Sequence, residues 1–146
     1  MNYKILDTKY NYSRLNLKIS FVPPNDVLNA FFASLDVIKL SEMLQNVVKS
    51  ENYYQSPMSL RFYKELDWED LEELDKIGGI NKDEIVIYHE VYGETIIKEL
   101  FFSRILLDYA NKLMVFYRND TILPINWFTE IQEGINNLTQ KIESQA

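Results

Sequence analysis

His89 is the one imidazole in this chain of 146 residues, which has no cysteine. An imidazole titrates near neutrality and can give or take a proton, so His89 is the first residue to weigh as a general acid or base. It stands in EIVIYHEVY, residues 84–92, and the residues that would line a pocket with it are Tyr88, Tyr92 and Tyr109. Such a pocket, between a sheet and a helix and walled by aromatics, has the usual form of a small-molecule site. No nearby residue completes a nucleophilic pair. His89-Glu90 is not followed by the second histidine of a metalloprotease helix, and its surroundings have the pattern of a strand. Absence of cysteine excludes thiolate zinc sites, redox dithiols and thiol nucleophiles. Phosphate cradles need glycine-rich loops that open a helix; the chain has four glycines, and Gly78-Gly79 follows a helical segment. No cofactor is expected.

The second concentration of chemistry is acidic. Seven carboxylates, Glu65, Asp67, Glu69, Asp70, Glu72, Glu73 and Asp75, occur without a base among them, and the remaining acids equal the Lys and Arg in number. This stretch therefore carries the whole formal charge of −7. Read as a calcium loop from Asp67, it puts Leu71 where an oxygen ligand is needed and Glu72 where glycine is obligatory, so no metal site is expected. Trp68 lies among the acids, with Tyr54 and Tyr63 as candidate neighbours. An acidic surface speeds encounter with a basic partner, and an aromatic within it supplies a desolvated anchor.

The partner-binding surface expected from this run is Glu65, Asp67, Trp68, Glu69, Asp70, Glu72, Glu73 and Asp75, facing a basic protein. In size and charge the chain resembles the immunity proteins that neutralise bacterial nuclease toxins. That resemblance implies a non-enzymatic inhibitor of a basic toxin or enzyme, working in the cytoplasm of a bacterium. Two alternatives stay open: a phage-type inhibitor imitating nucleic acid, and a small-molecule binder or enzyme built around His89. The balanced remainder of the chain lacks the basic footprint of a nucleic-acid or membrane binder.

These residues need elements to position them. The run from Lys98 to Arg118 is apolar around most of its circumference, leaving one polar stripe of Arg104, Asp108, Asn111 and Lys112. Those charges bar it from a membrane, so it is expected as a central core helix. Its first residues, 98–101, fit a strand or a helix. Residues 14–22 alternate as a half-buried strand, with Asn16 on the polar side, and 3–8 pair with it across a turn at 9–13. Helices follow from Asn25 or Asp26 and, capped by Ser41, through Val48. Residues 51–57 have loop composition, 58–63 alternate, and Asp67 caps a helix over 68–77 with Leu71, Leu74 and Ile77 inward. Residues 84–92, bulky on both faces, suit a central strand, and Gly93-Glu94 a tight turn into a short return strand. After Asn126, a last helix has the seam Phe128, Ile131, Ile135, Leu138 and Ile142, which packs on the core helix or makes a weak homodimer; otherwise the chain is monomeric. The first residues, MNYKILDTKY, have no apolar run long enough for a signal peptide, so none is expected. The whole, residues 1–146, is expected as one α+β domain, a small mainly antiparallel sheet packed against several helices.

Overall fold

The apolar run after Lys98 has to be covered on nearly every side, and its neighbours are arranged to do that. The structure, a computed structural model, describes residues 1–11 and 15–145. Helix α4 spans Glu99–Phe116, so residues 98–101 divide at Lys98, the last strand residue before the helix. Phe102, Ile105, Leu106, Tyr109, Ala110 and Leu113 are buried, while Arg104, Asp108 and Asn111 stay exposed as the stripe predicts. At ~1.5–3 kcal/mol for each large side chain removed from water, this helix alone contributes on the order of 10 kcal/mol before the entropy of ordering. Val115 and Phe116, at its end, come out into solvent.

One side of α4 meets a two-stranded antiparallel sheet, β1 (Asn2–Lys9) and β2 (Leu17–Val22), in the register Ile5↔Ile19 and Tyr3↔Phe21. Tyr3 donates to Asp108 of α4, and Lys112 pairs with Asp7 at 2.9 Å. The expected alternation holds for Leu17, Ile19 and Phe21, which are buried. Ser13 and Arg14 lie outside the described residues, and β2 begins only at Leu17. Asn16, expected on the polar side, is buried: its amide donates to the carbonyls of Phe32 and Leu35, both at 2.8 Å. Those carbonyls end helix α1 (Asp26–Ser34) and would otherwise lack partners.

Helix α1 starts where Asn25 accepts the N–H of Leu28, and stops at Leu35, whose backbone is extended. The break before α2 (Leu40–Val48) therefore falls where the apolar stripe changes sides. Ser41 is not its cap. Lys39 holds that position without a side-chain bond, and Ser41, inside the first turn, donates to Glu130 of the last helix instead.

A four-stranded antiparallel sheet follows, ordered β3 (Tyr53–Gln55), β4 (Met58–Phe62), β5 (Glu84–His89), β6 (Gly93–Lys98). β3 corrects the loop expected at 51–57: the pairs Tyr53↔Leu60 and Gln55↔Met58 leave only Ser56-Pro57 as a turn. β5 is central as expected, but it ends at His89, so Val91 and Tyr92 belong to a three-residue connection, Glu90 to Tyr92. Gly93, at φ +85°, is paired with His89 and opens β6, so the turn lies before the glycine rather than on it. Between β4 and β5, helix α3 (Trp68–Asp75) buries only Leu74. Leu71 is half-buried and Ile77, expected inward, is exposed beyond the helix end, where Gly78 and Gly79 take positive φ.

Helix α5 (Trp127–Gln145) lies on both α2 and α4. Ile131, Ile135, Leu138 and Ile142 form the seam, with Trp127 buried in the place expected of Phe128 and donating its ring N–H to the carbonyl of Val37 at 2.7 Å. The seam is thus occupied within the chain, which removes the reason for a homodimer through it. Lys141 and Glu99 make a nearly buried ion pair at 2.9 Å. Gly134 is where α5 approaches α2 most closely: a Cβ there would lie 2.8 Å from Leu44 Cδ1 and 3.0 Å from its Cβ. At an exposed site Gly→Ala would favour the helix by about 1 kcal/mol, but overpacking a filled core costs ~1–3 kcal/mol. Gly134→Ala is therefore expected to destabilise the fold by about 1 kcal/mol net, measured by urea unfolding. A gain in stability would mean that α2 and α5 are not held this close.

Candidate functional site

The three tyrosines expected to share a pocket with His89 are not gathered around it. His89 is buried on the α1 side of the sheet, while Tyr88 points to the opposite face and is 39% exposed. Tyr109 is fully buried in α4, against Phe32, and donates its hydroxyl to the carbonyl of Leu17 at 2.8 Å. Only Tyr92 stays by the histidine, with ring centroids 5.5 Å apart. The Nδ1 atom of His89 accepts the N–H of Val91 at 3.1 Å. A neutral ring so held carries its proton on Nε2, which lies 3.3 Å from Ser34 Oγ and donates to it. In this tautomer the ring has no lone pair at Ser34, so the pair is not arranged to make the hydroxyl a nucleophile.

The acidic run is held differently. Asp67 accepts the N–H of Asp70 at 2.8 Å, and Asp70 accepts that of Asp67 at 3.1 Å, a reciprocal cap that starts α3. Asp70 also meets Arg61 of β4 at 2.6 Å. The hydrogen bond from Arg61, with that from the Asp67 backbone, holds the Asp70 carboxyl below its usual range. Glu73 pairs with Lys76 at 2.8 Å, and Glu65 accepts the N–H of Asn52 at 3.0 Å. Glu69, Glu72 and Asp75 have side chains with no hydrogen bond or ion pair to any described residue. Trp68, at the start of the helix, is 71% exposed.

Arg61 fixes where this surface lies. It is opposite Val86 in the sheet, so α3 begins over the face that points away from the main core. Two residues along β4, roughly 7 Å away, is Ser59, which stands in a cross-strand row between Tyr54 and Tyr88, with Glu94 next. Tyr54 is 71% exposed. Tyr88, expected in a pocket, thus belongs to the same side of the molecule as the acids, and Tyr54 joins it there. Arg61 is the residue that sequence reasoning missed; the period-2 pattern of MSLRFY, with Ser59 and Arg61 on one face, was the available signal. Tyr63 is half-buried in a single 3-10 turn, Tyr63–Glu65, leading to α3.

Among the described residues no group of three His, Cys, Asp or Glu side chains is placed to hold a metal ion, and no helix is long and apolar enough to cross a membrane. No protein-family model, curated protein or solved structure matches the chain.

The Arg61–Asp70 bridge has a pH signature. A carboxyl whose pKa is lower in the folded state contributes stability above its unfolded value, near 4, and loses it as pH falls through the folded value. Arg61→Met is expected to lower stability by about 0.5–1 kcal/mol at neutral pH, the range of a partly exposed pair. That difference should shrink as pH falls through the lowered pKa of Asp70 and vanish once the carboxyl is protonated in both proteins. Unfolding curves of the two proteins between these limits decide it; a difference independent of pH would assign the loss to packing alone.

Proposed function

We propose that this chain is a non-enzymatic binding protein whose helix α3 and the adjoining sheet face occupy a basic site on another macromolecule. The observation that carries this reading is that Glu69, Glu72 and Asp75 have no hydrogen-bond or ion-pair partner among the described residues while Trp68 beside them is 71% exposed. α3 contributes a single buried side chain, Leu74, so its outer charges and its tryptophan are not accounted for by the stability of the domain. Like charges along one short helix repel each other, and a cationic partner relieves that repulsion as it docks. The ring of Trp68, with Tyr54 and Tyr88 on the sheet, supplies aromatic anchors over which Arg or Lys side chains can lie.

The most concrete form of this function is inhibition of a basic protein such as a bacterial nuclease toxin, in the cytoplasm of the cell that must be protected. Its charge supports this, and so do the exposed Trp68, Tyr54 and Tyr88 on the same side of the molecule as the acids of α3.

The test is retention of partners by the tagged protein from its native cells, at low and at physiological salt, with the bound proteins identified by mass. The expected result is one stoichiometric basic protein that survives physiological salt. It should be lost from the triple variant Glu69→Lys, Glu72→Lys, Asp75→Lys, which leaves the Asp67–Asp70 cap intact. Trp68→Ala should weaken binding of that protein by roughly ten- to thirtyfold, the loss of one aromatic anchor. No protein above background, or one retained equally by the triple variant, refutes the reading.

A further inference from the structure

A cleft of about 600 Å³ opens beside the first turn of α4. Leu100 and Phe101 give it an apolar wall, and Phe101 is steadied by the edge of Tyr3, with ring centroids 6.0 Å apart. Lys82, Asp83, Lys98 and Arg104 surround that wall. The charges do not cancel. Asp83 is bound to Lys98 at 2.8 Å, and Glu99, the other acid of the lining, is bound to Lys141 at 2.9 Å and accepts from Ser50 at 2.8 Å. Each lining acid therefore has a cation of its own. Lys82 and Arg104 have no hydrogen bond or ion pair with any described residue.

A protein of net charge −7 thus keeps a local surplus of positive charge at a cleft whose volume is that of an ordinary ligand site. Two cations without an ion pair among the described residues, beside an aromatic wall, match an anion with an apolar body. We propose that this cleft binds a small organic anion, its carboxylate or phosphate head on Arg104 and Lys82 and its body against Leu100 and Phe101. The guanidinium of Arg104 offers paired donors to two oxygens of such a head, and Lys82 adds a point charge. The ring of Phe101 excludes water from one side of the ligand and strengthens both contacts. This site is independent of the protein-binding reading for α3.

The experiment titrates the isotope-labelled full chain with phenyl phosphate, benzoate, inorganic phosphate and phenol, following backbone amide resonances. Phenyl phosphate or benzoate is expected to bind saturably and to shift amides at residues 82–84 and 98–104. Whichever binds more tightly identifies the head group. Inorganic phosphate and phenol, each lacking one half of the ligand, should bind at least tenfold more weakly. Arg104→Met and Lys82→Met should each weaken the organic anion at least tenfold; both side chains are exposed, so the spectra of the variants report an intact fold. Glu72→Gln, on α3, should leave binding unchanged. The proposal is overturned if neither organic anion binds across the millimolar range, if inorganic phosphate binds as well as phenyl phosphate, or if the folded Arg104 and Lys82 variants bind like the native chain.

Discussion

Tyr109 donates its hydroxyl to the carbonyl of Leu17 inside the core, and Tyr117 repeats the contact at Leu15, at 2.8 and 2.6 Å. Both rings are fully buried, so each hydroxyl would carry a desolvation cost of about 1–3 kcal/mol if it lacked a partner. Burial pushes the Tyr109 hydroxyl far above its ordinary pKa, which leaves it a donor at any physiological pH. The two bonds attach the start of β2 to a helix that is distant in sequence. Because α4 has so little surface fit for water, the two-stranded sheet, α1 and α5 must all lie against it, and these tyrosines set the height at which the sheet does so.

That arrangement leaves the four-stranded sheet with two unlike faces. Leu60, Phe62, Ile85 and Ile87 turn toward the helices and belong to the main core. On the other face only Val86, beneath the start of α3, is fully buried, and the tyrosines of the cross-strand row remain in solvent. The acidic helix starts at its own reciprocal cap and is tied to this face by the Arg61–Asp70 bridge; Leu74 is its one buried side chain and lies outside the main core. The positively charged cleft is built from Lys82 and Asp83 and from the β6–α4 junction. Charge of opposite sign is thus concentrated in two different sets of residues, each with apolar surface beside it.

Much of this was legible from residue spacing. The period of two in Leu17, Ile19 and Phe21, the polar stripe of α4, the seam of α5 and the cap at Asp67 all came from contacts within one element, where spacing decides the outcome. What was not legible depends on partners far along the chain. Asn16 looks like an outward residue of a strand until the end of α1 arrives with two free carbonyls. Tyr53–Gln55 is too short to announce itself and is a strand only because β4 pairs with it. The separation of Tyr88 from His89 was present in the alternation of residues 84–89; proximity in sequence had drawn them into one pocket, though neighbours on a strand face opposite ways. The cleft at α4 draws on residues 82, 83, 98–101, 104 and 145, which no local pattern brings together.

Light attachment of α3 has an evolutionary meaning. Substitutions on an exposed face away from caps and buried contacts usually change stability by less than about 0.5 kcal/mol. Positions 68, 69, 72 and 75 are of that kind, all exposed and none of them part of the bridge or the cap. A lineage could rewrite the charge and shape of this helix through many single steps without approaching the threshold at which the domain unfolds. The buried residues of α4 have no such latitude, since each is fitted against another element. Divergence among descendants of this chain should therefore accumulate on α3 first, while the tyrosines that seat the two-stranded sheet stay as they are.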